Sequence, residues 1–220
     1  MRINVYVAKA TGMSRRAADA VILDRRVKLN DLTATAGMHV DGTDTVFLDG
    51  QALTLPTETL TITFNKPVGY VCSRDGQGSA TIYDLLPPEF HTLKPIGRLD
   101  KDSSGLLLLT NDGALAHQLT HPSFQKIKVY EIKLGGPLRA LHHQMITDFG
   151  VQLTDGRSRF GLERMHKGDD RAWRITMREG RNRQIRRTFA ALGYQVAELR
   201  RTRFGDYTLG DLSPGSFQVL

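Results

Sequence analysis

The sequence predicts an α+β protein of two domains, and three observations carry that prediction. A short helical pair followed by brief strand-like pieces opens the chain. Strand signals return where Leu60, Ile62 and Phe64 alternate with threonines, and four consecutive leucines, 106–109, stand between turn signals. Alternation marks a half-exposed strand, whereas an unbroken apolar run marks one covered on both faces. With 220 residues and 40% hydrophobic content, the chain can form one large domain, or a small domain joined to a medium one.

Helical spacing begins over residues 5–10 and breaks at Thr11-Gly12. Ser14 is placed to cap a second helix. Its inner face is marked by Ala17, Ala20 and Val21, with Asp24 next at the same spacing, and Arg15, Arg16 and Asp19 face outward. Strand-like pieces follow at 27–29, 38–40 and 45–48, separated by Asn30-Asp31, Asp41-Gly42 and Asp49-Gly50 turns. Pro56, Glu58 and nearby threonines interrupt the apolar pattern over 50–59, which predicts a linker and sets the domains at 1–55 and 59–220. Asn65-Lys66-Pro67-Val68-Gly69 is a turn by composition, and Tyr70-Val71 resumes a strand.

After the leucine run, residues 114–120 predict a helix with Leu115 and Leu119 four apart, ended by Pro122. Residues 129–134, 151–153 and 172–177 predict further strands. A last helix is expected over 183–192. Ile185, Phe189 and Leu192 form its apolar face, Arg183, Arg186 and Arg187 share the opposite one, and Gly193 supplies the stop.

Thirty Lys and Arg against twenty-three Asp and Glu leave a formal charge of +7, which favours a polyanionic partner. No apolar run approaches the length of a membrane span and no signal-peptide pattern opens the chain, so no membrane partner and a cytoplasmic location are expected. The single Cys72 cannot form an internal disulfide, and no spaced Cys/His set suits zinc. The charge is concentrated in two places. Residues 1–30 hold Arg2, Lys9, Arg15, Arg16, Arg25, Arg26 and Lys28 against Asp19 and Asp24, and residues 171–203 hold ten arginines against Glu179 and Glu198. Two phosphate-contacting surfaces are expected, the first offering Arg2, Arg15, Arg16, Arg26 and Lys28 to RNA. A plainer reading leaves Arg15 and Arg16 as solvated helix residues.

The segment Gly97-Arg98-Leu99-Asp100-Lys101-Asp102-Ser103-Ser104-Gly105 places Asp100 on a glycine-bounded turn at the lip of the buried leucine strand. Alone, it has two readings: a turn-capping Asp, or a carboxylate held ready for chemistry by a rigid scaffold. The wider segment 95–113 resembles the signature of pseudouridine synthases, in the branch of ribosomal small-subunit synthase A and large-subunit synthases B, E and F. Three more matches follow the family order: Asn65-Lys66-Pro67-Val68-Gly69-Tyr70, Lys128-Val129-Tyr130, and Glu179-Gly180-Arg181-Asn182-Arg183-Gln184-Ile185-Arg186-Arg187.

At the other end, Ser14-Arg15-Arg16-Ala17-Ala18-Asp19, Arg26-Val27-Lys28-Leu29-Asn30 and Val40-Asp41-Gly42-Thr43-Asp44 resemble the RNA-binding domain of ribosomal small-subunit protein four. That pattern usually has Gly where Arg25 and Asp31 stand. Glycine takes positive φ freely, so either these two residues carry strain or their turns differ in shape.

The resemblance implies a catalytic domain built on a largely antiparallel sheet flanked by helices, and site-specific conversion of uridine to pseudouridine in ribosomal RNA. The Arg-Asn-Arg-Gln segment looks closer to the large-subunit synthases. A uracil nitrogen is cut from its ribose, the base turns over, and it is rejoined through a ring carbon. No group enters or leaves, so no metal and no cofactor are expected. Asp100 matches the catalytic Asp, with three roles open to it: attack on the glycosidic carbon, addition to the ring, or assistance to elimination at the ribose. A desolvated carboxylate needs a cation beside it to stay ionised, and Arg186 matches the family's Arg or Lys that pairs with the catalytic Asp.

Tyr130 is either an ordinary sheet residue or, as the resemblance implies, the tyrosine that stacks on the target base and is a candidate to remove its ring proton. Leu199 is either a core leucine or the apolar residue lining the other side of the base. Arg98 resembles a residue that steers the extruded nucleotide, and Arg183 and Arg187 either bind phosphates or hold their helix. The expected partner is ribosomal RNA or a ribosome-assembly intermediate, met by a monomer. The rival readings are a non-catalytic assembly factor on the same scaffold and, weakly, a glycoside hydrolase using Asp100 and Asp102, whose separation on a turn is not fixed.

Overall fold

The computed structural model describes residues 1–56 and 58–220; Thr57, in the predicted linker, lies outside them. The buried apolar residues form one unit over residues 3–46 and a second, of two clusters, over residues 62–209. In the first, α1 (Ile3–Thr11) ends at Gly12 with φ +75°, and α2 (Arg15–Leu23) starts where the Ser14 hydroxyl accepts from the Ala17 amide at 3.1 Å. Strands β1 (Val27–Leu29), β2 (Leu32–Thr33), β3 (Val46–Leu48) and β4 (Gln51–Leu53) form an antiparallel sheet in the order β2-β1-β3-β4. Ile3, Val7, Ala18, Ile22, Val27 and Val46 fill the core between them.

Three expectations for this unit change. The inner face of α2 is Ala18 and Ile22, while Ala17 and Ala20 are exposed. Alanines stand on both faces of this helix, so burial of the larger Ile22 sets its phase. Residues 38–40 make only an isolated bridge, Arg2 to His39, and the sheet grows instead through β2 and β4, the latter reaching into the stretch expected as linker. Of the two departures from glycine, Arg25 does adopt φ +57°, but Asn30 rather than Asp31 takes the other left-handed position, at +53°. Asn tolerates that region better than most residues.

The second unit contains β5 (Thr61–Lys66), β6 (Lys94–Ile96), β7 (Ser104–Thr110), α3 (Gly113–Thr120), β8 (Lys128–Leu134), α4 (Ala140–Gln144), β9 (Val151–Leu153), β10 (Gly156–Ser158) and β11 (Gly161–Arg164). It continues with β12 (Ala172–Met177), α5 (Gln184–Ala191), β13 (Val196–Phe204), β14 (Tyr207–Thr208) and β15 (Phe217–Val219). Its main sheet runs β11-β12-β8-β13-β7-β5-β15, with β14 on β13 and β6 on β7; β9 and β10 form a separate hairpin. The sheet is mixed: β13 and β7 are parallel and the other pairs antiparallel.

The leucine run is buried on both faces, as its composition predicts. Leu107 and Leu109 join Ile62 and Phe64 in the larger core, and Leu106 and Leu108 join Ile96, Leu119 and Phe204 in a smaller one behind the sheet. Asn65 and Lys66 are not a turn; they complete β5 and are buried. Asn65 Nδ2 donates to Leu212 O at 2.6 Å, while Tyr70-Val71 contributes only a bridge from Val71 to Thr81. The longest strand, β13, lies inside the arginine-rich block. The two units touch where Lys94 Nζ donates to Met13 O at 2.8 Å.

The parallel junction of β7 and β13 rests on two register pairs, Ser104 with Arg200 and Gly105 with Arg201. Gly105 has φ +101°, and a Cβ there would stand 2.2 Å from Arg201 O. Gly105→Ala therefore loses roughly 3 kcal/mol or more of stability through clash and backbone strain combined. Urea denaturation of the purified variant checks this expectation.

Candidate active site

Loop 97–103 leads into β7 and carries Asp100, and it is tied down from below and from both sides. Lys66, fully buried at the end of β5, donates from Nζ to Pro67 O at 3.0 Å, Asp100 O at 3.0 Å and Ser103 O at 2.7 Å. An ammonium has three protons, and here each meets a carbonyl. Burial pushes the Lys66 pKa down, opposed by the nearby charges of Asp100 and Asp102. Cys72 Sγ lies 3.3 Å from Leu99 O and accepts from the Leu99 amide at 3.4 Å, and the Gly69 amide donates to Lys101 O at 2.7 Å. Backbone groups of Asp100 are thereby fixed while its carboxylate stays about one-third exposed. Lys66 and Cys72 hold the loop in a way that the sequence reasoning missed. The family match to Asn65-Lys66-Pro67 was a signal, but composition assigned the lysine to a turn.

Tyr130 and Leu199 come from neighbouring strands. In the β8–β13 register Leu199 faces Ile132, two residues from Tyr130, so both side chains lie on one face of the sheet. Each is 8% exposed. Asp100, Arg98, Tyr130, Leu199, Arg183 and Arg186 all line one cleft of about 300 Å³.

The arginines of the α5 region divide differently from the expectation. Arg183 is not helical; it precedes α5 with φ +46°, and it grips Asp102 with Nη1–Oδ1 at 3.0 Å and Nη2–Oδ2 at 2.8 Å. The same guanidinium stands 3.4 Å from Asp100 Oδ2. Arg186 pairs with Asp102 rather than with Asp100: Nε lies 3.2 Å from Asp102 Oδ2, and Nη2 donates to Asp102 O at 2.6 Å. Its Nη1 donates to Val196 O at 2.7 Å. The hydrogen bond from Arg183, and then the charges of Arg186 and Arg183, hold the Asp102 carboxyl below its ordinary range.

Arg187 does not line the cleft. It pairs with Asp155 at 2.7 Å, which also receives Arg181 at 2.9 Å. Successive helical residues diverge by about 100°, so Arg186 and Arg187 reach different acids, while Arg183, just ahead of the helix in the left-handed region, joins Arg186 on Asp102. The acids that occupy this block come from distant segments. Counting only Glu179 and Glu198 therefore overstated the free charge. In the first unit Arg2, Arg15, Arg16 and Lys28 are exposed without a carboxylate partner among the described residues. Arg26 is held by Asp49 in a bidentate pair at 2.9 and 2.6 Å.

Chemically, the cleft offers a partly exposed carboxylate on a fixed backbone, a guanidinium within reach of it, an aromatic wall and an aliphatic wall. Such a site can accept a flat base beside a sugar and exclude much of the water.

Residues 60–191 match the family described as RNA pseudouridylate synthase. The chain is 37% identical over 94% of its length to a ribosomal large subunit pseudouridine synthase B of Xanthomonas campestris pv. campestris, of which it spans 44%. It is 34% identical over its whole length to a ribosomal small subunit pseudouridine synthase A of Yersinia pestis, covering 94% of that protein. The chain thus spans less than half of the large-subunit relatives it matches. A crystal structure of a pseudouridylate synthase superposes with a TM-score of 0.72 at 31% identity, covering all of this chain and 96% of the other.

Two expectations follow from the geometry. Lys66→Met strands three carbonyl oxygens and costs roughly 3 kcal/mol or more, measurable by urea denaturation. Asp102 is a carboxylate whose folded pKa is depressed, so its pairing stabilises the fold fully above pH 3.8 and is lost as pH falls through the lowered value. The stability gap between the wild type and Asp102→Asn accordingly narrows in acid, which thermal melts between about pH 7 and pH 2.5 would follow.

Proposed function

The chain belongs to the RNA pseudouridylate synthase family, and from that premise we propose that it converts uridine to pseudouridine in ribosomal RNA, with Asp100 as the essential carboxylate. The observation that carries this reading is the convergence of Asp100, Tyr130, Leu199 and Arg183 on one cleft from four different parts of the chain. A pure RNA binder has no physical need for a carboxylate held by its backbone at the bottom of a basic surface.

The reaction breaks the bond from the ring nitrogen to the ribose carbon and forms one from a ring carbon to the same ribose carbon. The ring carbon loses a proton and the freed nitrogen gains one, so the product is an isomer. Asp100 meets the ribose or the base as the bond breaks. Arg183, nearest to it, offsets its charge, and Arg186 acts on the site through Asp102. The detached uracil is held between Tyr130 and Leu199 while it turns, and the Tyr130 hydroxyl is the candidate group to remove the ring proton. Extruding a nucleotide from folded RNA costs a few kcal/mol, which stacking on Tyr130 and phosphate contacts offset.

Residues 1–55 serve in this reading as an RNA-binding domain like that of ribosomal small-subunit protein four, presenting Arg2, Arg15, Arg16 and Lys28. The substrate is ribosomal RNA, free or in an assembling particle, met by a monomer in the cytoplasm. The Arg181-Asn182-Arg183-Gln184 segment and the 37% identity to a large-subunit synthase favour large-subunit RNA. Mapping pseudouridines in both ribosomal RNAs, with and without the protein, tests this assignment. Asp100→Asn is expected to fold and bind RNA nearly as the wild type does, yet to leave product at background. Turnover by that variant would remove Asp100 from its role.

A further inference from the structure

A second cavity, of about 410 Å³, adjoins the Asp100 cleft and takes no part in the chemistry above. The two share Gly97, Arg98, Tyr130, Gly180 and Arg181, so Arg98 and Tyr130 stand between them. Arg98, Lys126, Lys128, Arg178, Arg181 and Arg201 line the second cavity against a single carboxylate, Glu179. Glu179 is already engaged by Gln184 and by Arg181.

The deepest cation is Arg201, 2% exposed. Its Nε donates to Leu106 O at 2.8 Å and its guanidinium stacks 4.8 Å from the Phe204 ring centre, but Nη2 has no partner among the described residues. The half-buried Lys128 ammonium lies 5.4 Å from the same ring, and burial, then the Arg201 charge, push its pKa down. The carboxylate nearest Lys126 is the exposed Asp206, 3.9 Å away. Lys128 Nζ also donates to Arg178 O at 3.3 Å, and Glu179 opposes the fall in its pKa, but carbonyls and one already engaged carboxylate offset only part of the cost of desolvating cations side by side. A phosphate would offset it, because its oxygens accept from guanidinium and ammonium together.

We propose, resting on the RNA reading above, that this cavity seats the nucleotide adjacent to the reacting uridine, with its phosphate held between Lys126, Lys128 and Arg201. Leu119, Pro122 and Phe204 supply an apolar wall for the sugar and base. Arg98 lies on the boundary, where the backbone linking the two nucleotides must pass. Such contacts set register without reading sequence.

The test titrates the full chain with unmodified ribosomal RNA transcript over a series of KCl concentrations. Lys126→Met/Lys128→Met keeps the apolar stems and removes two charges. It is expected to raise Kd about tenfold near 0.1 M salt and to reduce the slope of log Kd against log salt by about 0.7 to 1, the share of one phosphate. Lys126→Glu, at the rim, shifts both in the same direction and substitutes if thermal melts show the double variant misfolded. Lys167→Met, on an exposed residue lining neither cavity, is the control. An unchanged slope in the cavity variants overturns the proposal, and so does an equal drop in the control. Pseudouridine mapping on the same samples separates the two levels. An unchanged slope with product still formed by the wild type removes the second subsite alone, whereas a wild type without product removes the reading on which it rests.

Discussion

A single buried ammonium anchors the loop that carries Asp100. Lys66 has no carboxylate in contact; its three protons go to three main-chain carbonyls, two of which belong to the loop that carries Asp100. Burying a charge this way is unfavourable in isolation. What it secures is conformational: a glycine-bounded turn that would sample many shapes is held in one. The sulfur of Cys72 and the amide of Gly69 add to that restraint, and the rigid leucine strand takes over where the loop ends.

Once the loop is placed, its second acid organises the opposite wall. Asp102 receives both Arg183 and Arg186, so the segment before α5 and the helix itself are drawn to the loop by one carboxylate. Asp155 does the same on the far side with Arg181 and Arg187. The helix is thus suspended between two acids from separate parts of the chain. Asp100 is left with a guanidinium nearby at 3.4 Å, without the bidentate clamp that would occupy both of its oxygens. A carboxylate so placed has a guanidinium beside it and is left open to a ligand.

What could be read in advance follows from which signals are local. The Ser14 cap, the Thr11-Gly12 break and the leucine run act within a few residues, and the structure reproduces them. Asp100, Tyr130 and Leu199 were found through motif resemblance, and only the fold brings them to one cleft. The failures are long-range. Lys66 looked like turn material because a lysine beside proline is normally solvated, and nothing nearby in sequence discloses three carbonyls waiting for it. Strand β13 carries three arginines in nine residues, and one of them, Arg201, is interior, so periodicity was masked by charge. The direction of Arg187 depended on Asp155, thirty-two positions away.

The parallel seam between β7 and β13 has a mechanical consequence. Asp100 belongs to the strand group on one side of it, and Tyr130 and Leu199 to the group on the other. The gap between the acid and the aromatic wall is therefore spanned by two rungs of backbone pairing, reinforced by the Arg201 side chain on Leu106. A change of twist along that line changes the spacing of the acid and the aromatic wall while the antiparallel ladders on either side stay paired.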